Sequence, residues 1–306
     1  MAMRILEANK HSNEWFAASI GMFDGVHCGH KSLIDRLRRE AEAAHLIPAV
    51  ITFRTHPANV LRPEHGVEML MTLDQRLKAL SDAGVNNVIL MDFDQKLASL
   101  SAKEFMELLV KEYGVRLLLI GFNHRFGHNR SESFNDYARY GKELGIQVVQ
   151  GEEMTSAGMA VSSSQVRQLL SKGWVETATR ILGSYFTIKG TVVHGFGNGR
   201  KIGFPTANVG ELPEHQFIPA IGVYATIVWL DGMRYHGMAN IGTRPTFNNG
   251  GLSVEVHILD FDQDIYGKQI EVQFVKMIRP EVKFNSVADL IAQLKKDKAS
   301  ITSLIK

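Results

Sequence analysis

The first half of the chain alternates short apolar runs with stretches in which apolar residues recur every three or four positions. Apolar runs of about four to eight residues predict buried strands, and the wider spacing predicts amphipathic helices. Because predicted helices separate the strands and the connections are short, we expect a mostly parallel sheet with helices on both faces. The predicted strands cover residues 16–20, 49–53, 87–91, 116–120 and 147–149, and the predicted helices follow His30 and cover residues 73–82, 102–112 and 134–144.

Farther along the chain, apolar and polar residues alternate, with Gly and Pro between the runs. Ile270, Val272 and Phe274 alternate with polar neighbours, which predicts a strand with one buried face. Several such strands indicate a closed or sandwich-like β-domain, so we predict an α/β domain over residues 1–183 and a β-domain over residues 184–306. The predicted elements of this half are strands over residues 185–193, 223–229, 252–259 and 269–278 and a final amphipathic helix with Val287, Leu290, Ile291 and Leu294 on one face.

The composition is typical of a globular protein: 306 residues, 45% hydrophobic and 22% charged, with a formal net charge of +2. The length allows two domains, and the small charge neither demands nor excludes a nucleic-acid partner. Cys28 is the single cysteine, so no internal disulfide is expected. No signal-peptide core or membrane-length apolar run is seen, so we expect a cytoplasmic protein without a membrane partner, either a monomer or a weak oligomer.

A glycine- and histidine-rich segment connects the first predicted strand to the first predicted helix. Helix N-termini favour phosphate because they present free N–H groups and the positive end of the helix dipole. Gly21, Gly25 and Gly29 allow a tight turn close to a ligand. His27 and His30 are spaced to face one ligand and to donate hydrogen bonds to a triphosphate. One alternative is that the histidines only cap the helix. A metal site is another, although no Cys or acidic cluster in the sequence completes it.

Two further polar groups stand where such a fold binds ligands. Asn123 follows the strand predicted to end at residue 120, and strand C-termini line the ligand sites of open α/β sheets. Ser162, Ser163 and Ser164 offer hydroxyl and N–H groups at a predicted helix start, and Arg167 is a fork-shaped phosphate donor. The alternatives are simple helix capping for the serines and a solvated helix face for Arg167.

The β-domain contains a glycine-rich loop followed by a Thr–Asn pair. Gly199, Lys201 and Gly203 belong to this loop, which is flexible enough to cover a polyphosphate. Thr206 and Asn208 point to the same side of an extended chain, and their oxygens are ligands that Mg²⁺ accepts beside phosphate. The same composition also fits a surface hairpin.

A carboxylate lies on one of the predicted strands. Val254, Val256 and Ile258 point one way, while Glu255 and His257 point the other. A carboxylate on a rigid strand can act as general base toward a hydroxyl. A solvent-facing acidic residue is the alternative.

These segments together resemble one family. The order Gly-x-Phe-Asp-Gly-Val-His-x-Gly-His resembles the His-x-Gly-His signature of nucleotidyltransferases, and more narrowly the FAD-synthetase module of bacterial bifunctional riboflavin kinase/FAD synthetases. The segment Gly-Phe-Pro-Thr-Ala-Asn resembles the PTAN motif of riboflavin kinases. The similar segments, in the order of that family, are residues 21–30, 121–127, 162–167, 203–208, 240–247, 253–267 and 278–281.

The resemblance implies two activities that use ATP with Mg²⁺. The C-terminal domain is expected to phosphorylate riboflavin to FMN, and the N-terminal domain to adenylylate FMN to FAD with release of pyrophosphate. The implied folds are a Rossmann-like nucleotidyltransferase domain and a six-stranded antiparallel β-barrel with a terminal helix. Riboflavin, FMN and FAD are the implied substrates and products.

The resemblance also assigns roles to residues. It places Thr206 and Asn208 at Mg²⁺-ATP, makes Glu255 the base that activates the ribityl 5′-hydroxyl, and puts Arg279 near the flavin or the phosphate. The ATP and phosphate site of the first domain, by the same resemblance, includes Phe23, Asp24 and Arg125 beside the glycines, Asn123, serines and Arg167 named above, with His27 and His30 as catalytic residues. The chain departs from many relatives at Met22 and at Thr55, where Asn and Pro are common.

Two other functions are compatible with parts of the sequence. One is a different His-x-Gly-His nucleotidyltransferase with an unrelated β-domain fused to it. The other is a β-barrel that binds single-stranded nucleic acid, which requires exposed aromatics along a basic groove. The aromatics of this half lie largely in strands or in Gly-Pro settings, so no nucleic-acid partner is expected.

Overall fold

A computed structural model describes residues 3–8, 13–156, 159–243 and 252–304. The chain forms two compact units, Met1–Glu68 with Thr72–Ser162 and Met69–Met71 with Ser163–Lys306. The domain division expected between residues 183 and 184 stays a prediction. Within the described residues, no helix is both long enough and apolar enough to cross a membrane.

The first unit contains a six-stranded sheet with the order β1-β4-β3-β2-β5-β6, and every pair in it is parallel. This confirms the predicted parallel α/β fold. The strands are β1 (Arg4–Leu6), β2 (Phe16–Ile20), β3 (Ile47–Phe53), β4 (Asn87–Met91), β5 (Val115–Ile120) and β6 (Gln147–Gln150), with a small pair β7 (Thr155–Ser156) and β8 (Met159–Ala160). The helices are α1 (Cys28–Ala43), α2 (Pro57–Leu61), α3 (Leu73–Asp82), α4 (Gln95–Ser99), α5 (Ala102–Tyr113) and α6 (Phe134–Leu144).

The centre of this sheet determines where a ligand can bind. All five residues of β2 are buried, because helices cover both faces of a central parallel strand. From β2 the chain adds β3 and β4 on one side, and β5 and β6 lie on the other. The order therefore reverses between β2 and β5, and open α/β sheets bind ligands at such a reversal, beyond the C-terminal strand ends.

The second unit contains a closed antiparallel barrel with the order β10-β13-β12-β11-β14-β9. This confirms the six-stranded barrel with a terminal helix that the resemblance implied. The strands are β9 (Phe186–Val193), β10 (Ala207–Gly210), β11 (Gly222–Leu230), β12 (Met233–Thr243), β13 (Leu252–Ile258) and β14 (Gln269–Arg279). The helices are α7 (Ser163–Leu170), α8 (Val175–Leu182), α9 (Asn198–Lys201) and α10 (Val287–Leu304).

Helix α10 packs against β12 and β14, but not with the whole face that its sequence predicts. Ile291 and Leu294 pack against the apolar core of the barrel, and Ile301 is fully buried. Val287, predicted on the same face, is 61% exposed because it is the first residue of the helix, where the side chain lies beyond the barrel surface.

Candidate active sites

The loop after β2 has a constrained backbone. Phe23 and Val26 have positive φ angles of 52° and 37°, yet both side chains are about 1% exposed, so core packing holds them in this conformation. Gly25 between them also has positive φ (85°), where glycine is favoured. The N–H of Gly21 donates to the carbonyl of Ile51 at 3.0 Å and ties the loop to β3. Backbone strain of this kind persists where tertiary packing over-determines it, often at binding sites.

His27 is the N-cap residue of α1. Its Nδ1 accepts a hydrogen bond from the main-chain N–H of His30 at 3.3 Å, and the two rings stack with centroids 3.7 Å apart. His27 therefore does cap the helix, and its second nitrogen is left for a ligand. Because Nδ1 is the acceptor, neutral His27 carries its proton on Nε2, where it can be donated. A Cβ on Gly29 would lie 3.2 Å from the His27 ring, which explains the glycine there.

Both histidines are neutral at physiological pH. The pKa of His27 is lowered to about 4, mainly by burial and also by the charge of Lys31, against a main-chain hydrogen bond that raises it. Burial also lowers the pKa of His30 well below its ordinary value, assisted by repulsion from His27 and His124. Because both rings are neutral, the stacked pair avoids like-charge repulsion and can offer N–H donors.

Acidification is expected to destabilise the first unit. The folded pKa of His27 lies below its unfolded value, so the unfolded chain takes up the proton first as the pH falls. The contribution of neutral His27 to the free energy of unfolding is therefore fully present above about pH 6.5 and is lost as the pH falls toward about 4. For His27 alone, the loss across this interval is about 3 kcal/mol. Thermal unfolding followed against pH tests this. The control, His27→Asn, keeps a capping side chain but cannot titrate, so an equally steep loss in that variant would contradict the explanation.

The loop after β5 is held by a tyrosine that the sequence did not single out. Phe126 is buried and stacks on Tyr137 of α6 with centroids 4.4 Å apart. The Tyr137 hydroxyl accepts from the N–H of Phe126 at 3.0 Å and donates to its carbonyl at 3.1 Å. Asn123 and Arg125, both predicted site residues, are exposed on this fixed loop.

A cavity of about 290 Å³, here called the sheet cavity, lies in the first unit and is lined by residues from the ends of β2 and β3 and from the loop after β5. Its wall is mainly apolar, and His124 and Arg125 contribute polar groups. Met22, the departure from Asn, lines it with an apolar side chain, while the Met22 carbonyl accepts from the Thr52 hydroxyl at 3.2 Å. The main apolar lining residues are Ile20, Met22, Phe53, Leu97, Phe105 and Phe126.

Asp24, predicted in the phosphate site, lies in the protein interior with 2% exposure. Arg76 of α3 is 1% exposed, donates to the carbonyl of Phe53 and interacts electrostatically with Asp24. Burial lowers the pKa of Arg76 to about 10, and the charge of Asp24 opposes that shift. The pair supports the loop from the inside, and the place of Asp24 in the phosphate site stays a prediction.

The serine motif falls at the division between the units. Ser162 ends the first unit, and Ser163, Ser164 and Arg167 belong to α7 in the second. Ser162 and Ser164 are exposed, whereas Ser163 and Arg167 are partly buried. The grouping of this motif with His27 and His30 stays a prediction.

In the barrel, the structure brings the Thr–Asn pair and the strand carboxylate together. Asn208 and Glu255 are partners in the register of β10 and β13. The Thr206 hydroxyl donates to Glu255 Oε2 at 3.2 Å. His257 Nδ1 lies 2.8 Å from the carbonyl of Pro205, which holds the chain just before Thr206. Glu255 lines a cavity, which favours the chemical role over that of a solvent-facing acid.

Two cavities of the barrel share Thr206 as a lining residue. The polar barrel cavity, about 210 Å³, is lined by Arg200, Asp262, Asp264 and Tyr266 among others. The apolar barrel cavity, about 290 Å³, contains Glu255 and Arg279 in a mainly apolar wall. Thr206 belongs to the lining of both cavities. The main apolar residues of the second cavity are Phe204, Val223, Met238, Phe284, Leu290 and Leu294.

The glycine-rich loop forms a short helical turn, α9, at the edge of both cavities. A Cβ on Gly199 would lie 2.2 Å from the carbonyl of Phe204, so only glycine fits there. Gly203 has a φ of 81°, which also favours glycine. Lys201 is exposed, and the neighbouring Arg200, the other basic residue of the loop, lines the polar barrel cavity.

Arg279 is held by a partner that the sequence did not reveal. Its Nε donates to Asp297 Oδ2 of α10 at 2.9 Å, and Gln293 donates to the other carboxylate oxygen at 2.8 Å. Asp297 is 2% exposed and the Arg279 side chain 16%. The pair fixes the guanidinium at the wall of the apolar barrel cavity.

Replacing Asp297 with Asn is expected to destabilise the second unit by about 3 kcal/mol, because it leaves a largely buried guanidinium without its counter-charge. The midpoint of its thermal unfolding should fall by roughly 6–12 °C. The matched control is Asp260→Asn, which breaks an exposed ion pair between Asp260 and Lys298 of α10. This variant should lower the free energy of unfolding by less than about 1 kcal/mol. Equal losses in the two variants would contradict the role given to the buried pair.

Part of one family-like segment, Arg244 to Phe247, lies outside the described residues. Among the residues that the structure describes, no cluster of three or more His, Cys, Asp or Glu side chains is arranged to hold a metal ion.

Comparisons with known proteins match both halves of the chain. A family model described as FAD synthetase matches residues 9–165, and one described as riboflavin kinase matches residues 182–305. Bifunctional riboflavin kinase/FMN adenylyltransferases from Listeria monocytogenes and Escherichia coli are 37% and 38% identical over 281 residues, covering 91% of this chain and 89% of each relative. A crystal structure of a macrolide-efflux protein from Streptococcus pneumoniae is similar with a TM-score of 0.87 and 31% identity, covering 99% of both chains.

Proposed function

Because the chain belongs to the bifunctional riboflavin kinase/FMN adenylyltransferase family, we propose that its two reactions use separate nucleotide sites, one at the start of α1 and one beside β10. The chain phosphorylates riboflavin to FMN and adenylylates FMN to FAD. The observation that carries the site assignment is that each unit has a mainly apolar cavity of about 290 Å³ bordered by groups able to engage phosphate or activate a hydroxyl. A flat flavin ring suits such a cavity.

In the kinase reaction, riboflavin occupies the apolar barrel cavity and ATP the polar one. Glu255 takes the proton of the 5′-hydroxyl as that oxygen attacks the γ-phosphorus, and the bond from phosphorus to the ADP oxygen breaks. The hydrogen bond from Thr206, the residue that lines both cavities, orients the carboxylate. Tyr266, stacked on His194 with centroids 3.7 Å apart, gives the polar barrel cavity a fixed aromatic wall for adenine.

The oxygens near Thr206 fit a magnesium ion that arrives with ATP. Thr206 and Asn208 provide a hydroxyl and an amide oxygen, the hard ligands that Mg²⁺ takes beside phosphate oxygens and water. Few protein ligands are needed, because this ion is usually bound jointly by the protein and the nucleotide. When bound, it offsets negative charge on the phosphates.

In the adenylyltransferase reaction, a phosphate oxygen of FMN attacks the α-phosphorus of ATP and pyrophosphate leaves. The FMN phosphate is already anionic near neutral pH, so no strong base is required. His27 and His30 donate hydrogen bonds to the phosphates, and the N–H groups at the start of α1 stabilise the added charge. The flavin ring of FMN occupies the sheet cavity, which begins at the end of β2 just before this loop.

The match of residues 182–305 to riboflavin kinases argues against an unrelated β-domain fused to a nucleotidyltransferase. The substrates are small molecules, and we propose no nucleic-acid or membrane partner. We further propose that the protein acts in the cytoplasm as a monomer or weak oligomer.

A crystal soaked with Mg²⁺, ADP and FMN tests the two sites directly. We expect nucleotide against Thr206 and Asn208 in the barrel, nucleotide beside His27 and His30 at α1, and flavin in the two apolar cavities. Nucleotide bound away from both groups would overturn the assignment.

A further inference from the structure

Two buried imidazole nitrogens in the first unit have no hydrogen-bond partner among the described residues: Nδ1 of His30 and Nε2 of His124. A buried polar nitrogen without a partner is costly, so native structures normally supply one from the protein, from water or from a ligand. His30 belongs to the site described above. His124 has been given no role, and its main-chain N–H bonds to the carbonyl of Gly121 at 2.9 Å, so the side chain is not needed to form the turn.

His124 lies where the parts of the adenylyltransferase site meet. It lines the sheet cavity, and it is close enough to His30 to depress that residue's pKa by repulsion. Its ring also makes a tilted contact with Phe126, with centroids 6.4 Å apart, and the charge of Arg130 acts on it. A flavin in the cavity must extend its ribityl phosphate past this position to reach His30 and the start of α1.

We propose that His124 is a substrate-binding residue whose Nε2–H donates a hydrogen bond to a non-bridging oxygen of the FMN phosphate. This rests on the proposed function of the His27/His30 site. The FMN phosphate is an anion with several acceptor oxygens, and a neutral imidazole is a donor that can meet it without a buried charge in the free enzyme. Held between His124 and His30, the phosphate oxygen is aimed at the α-phosphorus of ATP.

The test compares His124→Phe, which keeps a ring but removes both nitrogens, with His124→Gln, which restores an N–H donor. In the full-length protein, the phenylalanine variant should raise the KM for FMN by about 10- to 100-fold and leave the KM for ATP within about twofold. The glutamine variant should recover most of the loss. The control is the same exchange at an exposed histidine of the same unit, His65→Phe, which should change neither constant.

Inhibition by 5′-deoxyriboflavin shows which part of FMN His124 contacts, because this compound has the ring and ribityl chain but cannot carry the phosphate. Its inhibition constant against FMN should be unchanged in His124→Phe. Three results would overturn the proposal. If the inhibition constant of 5′-deoxyriboflavin rose together with the KM for FMN, the contact would be on the ring or ribityl chain, and a higher KM for ATP would place it on the nucleotide. An unchanged KM for FMN would mean that His124 makes no contact with FMN that affects binding. If circular dichroism shows that His124→Phe does not fold, the KM for FMN is compared between His124→Gln and His124→Ala instead, and the proposal requires the higher KM in His124→Ala. Unimpaired FAD formation in His30→Ala would instead overturn the site itself.

Discussion

The Glu255→Gln variant is expected to lose riboflavin phosphorylation, with kcat falling by about 10²- to 10⁴-fold, while its conversion of FMN to FAD stays at the wild-type rate. The amide keeps the shape of the side chain and can still accept the hydrogen bond from Thr206, but it cannot take a proton from the 5′-hydroxyl. The loss should therefore appear in kcat more than in the KM for riboflavin or ATP. Separating riboflavin, FMN and FAD after incubation with Mg²⁺-ATP measures both steps in one sample.

A second strand glutamate provides the control for this substitution. Glu271 lies on β14 of the same barrel and pairs with Lys189 at 3.1 Å, with both side chains about 40% exposed. Glu271→Gln should leave both reactions unchanged, because an exposed ion pair contributes little. If Glu255→Gln retained full kinase activity, Glu255 would not be the base. A simultaneous loss of FAD formation from supplied FMN, in a folded protein, would mean that the two reactions do not have separate sites.

The sequence predicted the elements whose local pattern is strong. Strand β2 is an uninterrupted buried run, and the ends of α5 and α6 carry capping residues and glycines in the left-handed conformation at Gly114 and Gly145. The hydrophobic pattern did not predict strands β10 and β12, for two different reasons. Four-residue β10 is too short to show a period, and β12 has glycines where partner strands approach closely, as at Gly237, where a Cβ would lie 2.7 Å from the Thr226 hydroxyl.

The chemistry of the sites was predictable only where it is local in the sequence. His27 and His30 meet because they are three residues apart at a helix start, and Thr206 directly precedes β10, which contains Asn208. The contact between Thr206 and Glu255 depends on strand register, which spacing does not give. The assignment of these residues to catalysis came from the family resemblance.

The residues that support the sites could not be predicted either, because their contacts join elements that are far apart in the sequence. Arg76, Tyr137 and Asp297 each act on a loop or side chain from a different element of the fold. In sequence they are ordinary polar positions of helices. The burial of Asp24, which the resemblance places in the phosphate site, could not be predicted from the sequence either, because it depends on how the loop packs.

The His30→Ala variant is expected to lose FAD formation by about 10²- to 10³-fold in kcat, while riboflavin phosphorylation is unaffected. Deleting the imidazole removes an N–H donor beside the reacting phosphates and the stacking partner of His27. The main-chain N–H of His30 remains, so the cap on α1 from His27 Nδ1 is retained and the helix should still form. Supplying FMN and ATP and measuring FAD isolates this step from the kinase.

His30→Asn sharpens the result, because its amide restores a donor without an imidazole. Partial recovery in this variant would assign the loss to a hydrogen bond in the transition state, whereas equal loss in both variants would point to the ring, through its stacking on His27. Thermal unfolding separates either outcome from a loss of structure. Because the kinase reaction is assigned to Thr206 and Glu255 in the other unit, a His30→Ala protein that also failed to phosphorylate riboflavin would contradict the separation of the two sites. FAD formation at the wild-type rate would mean that adenylyl transfer takes place elsewhere on the protein.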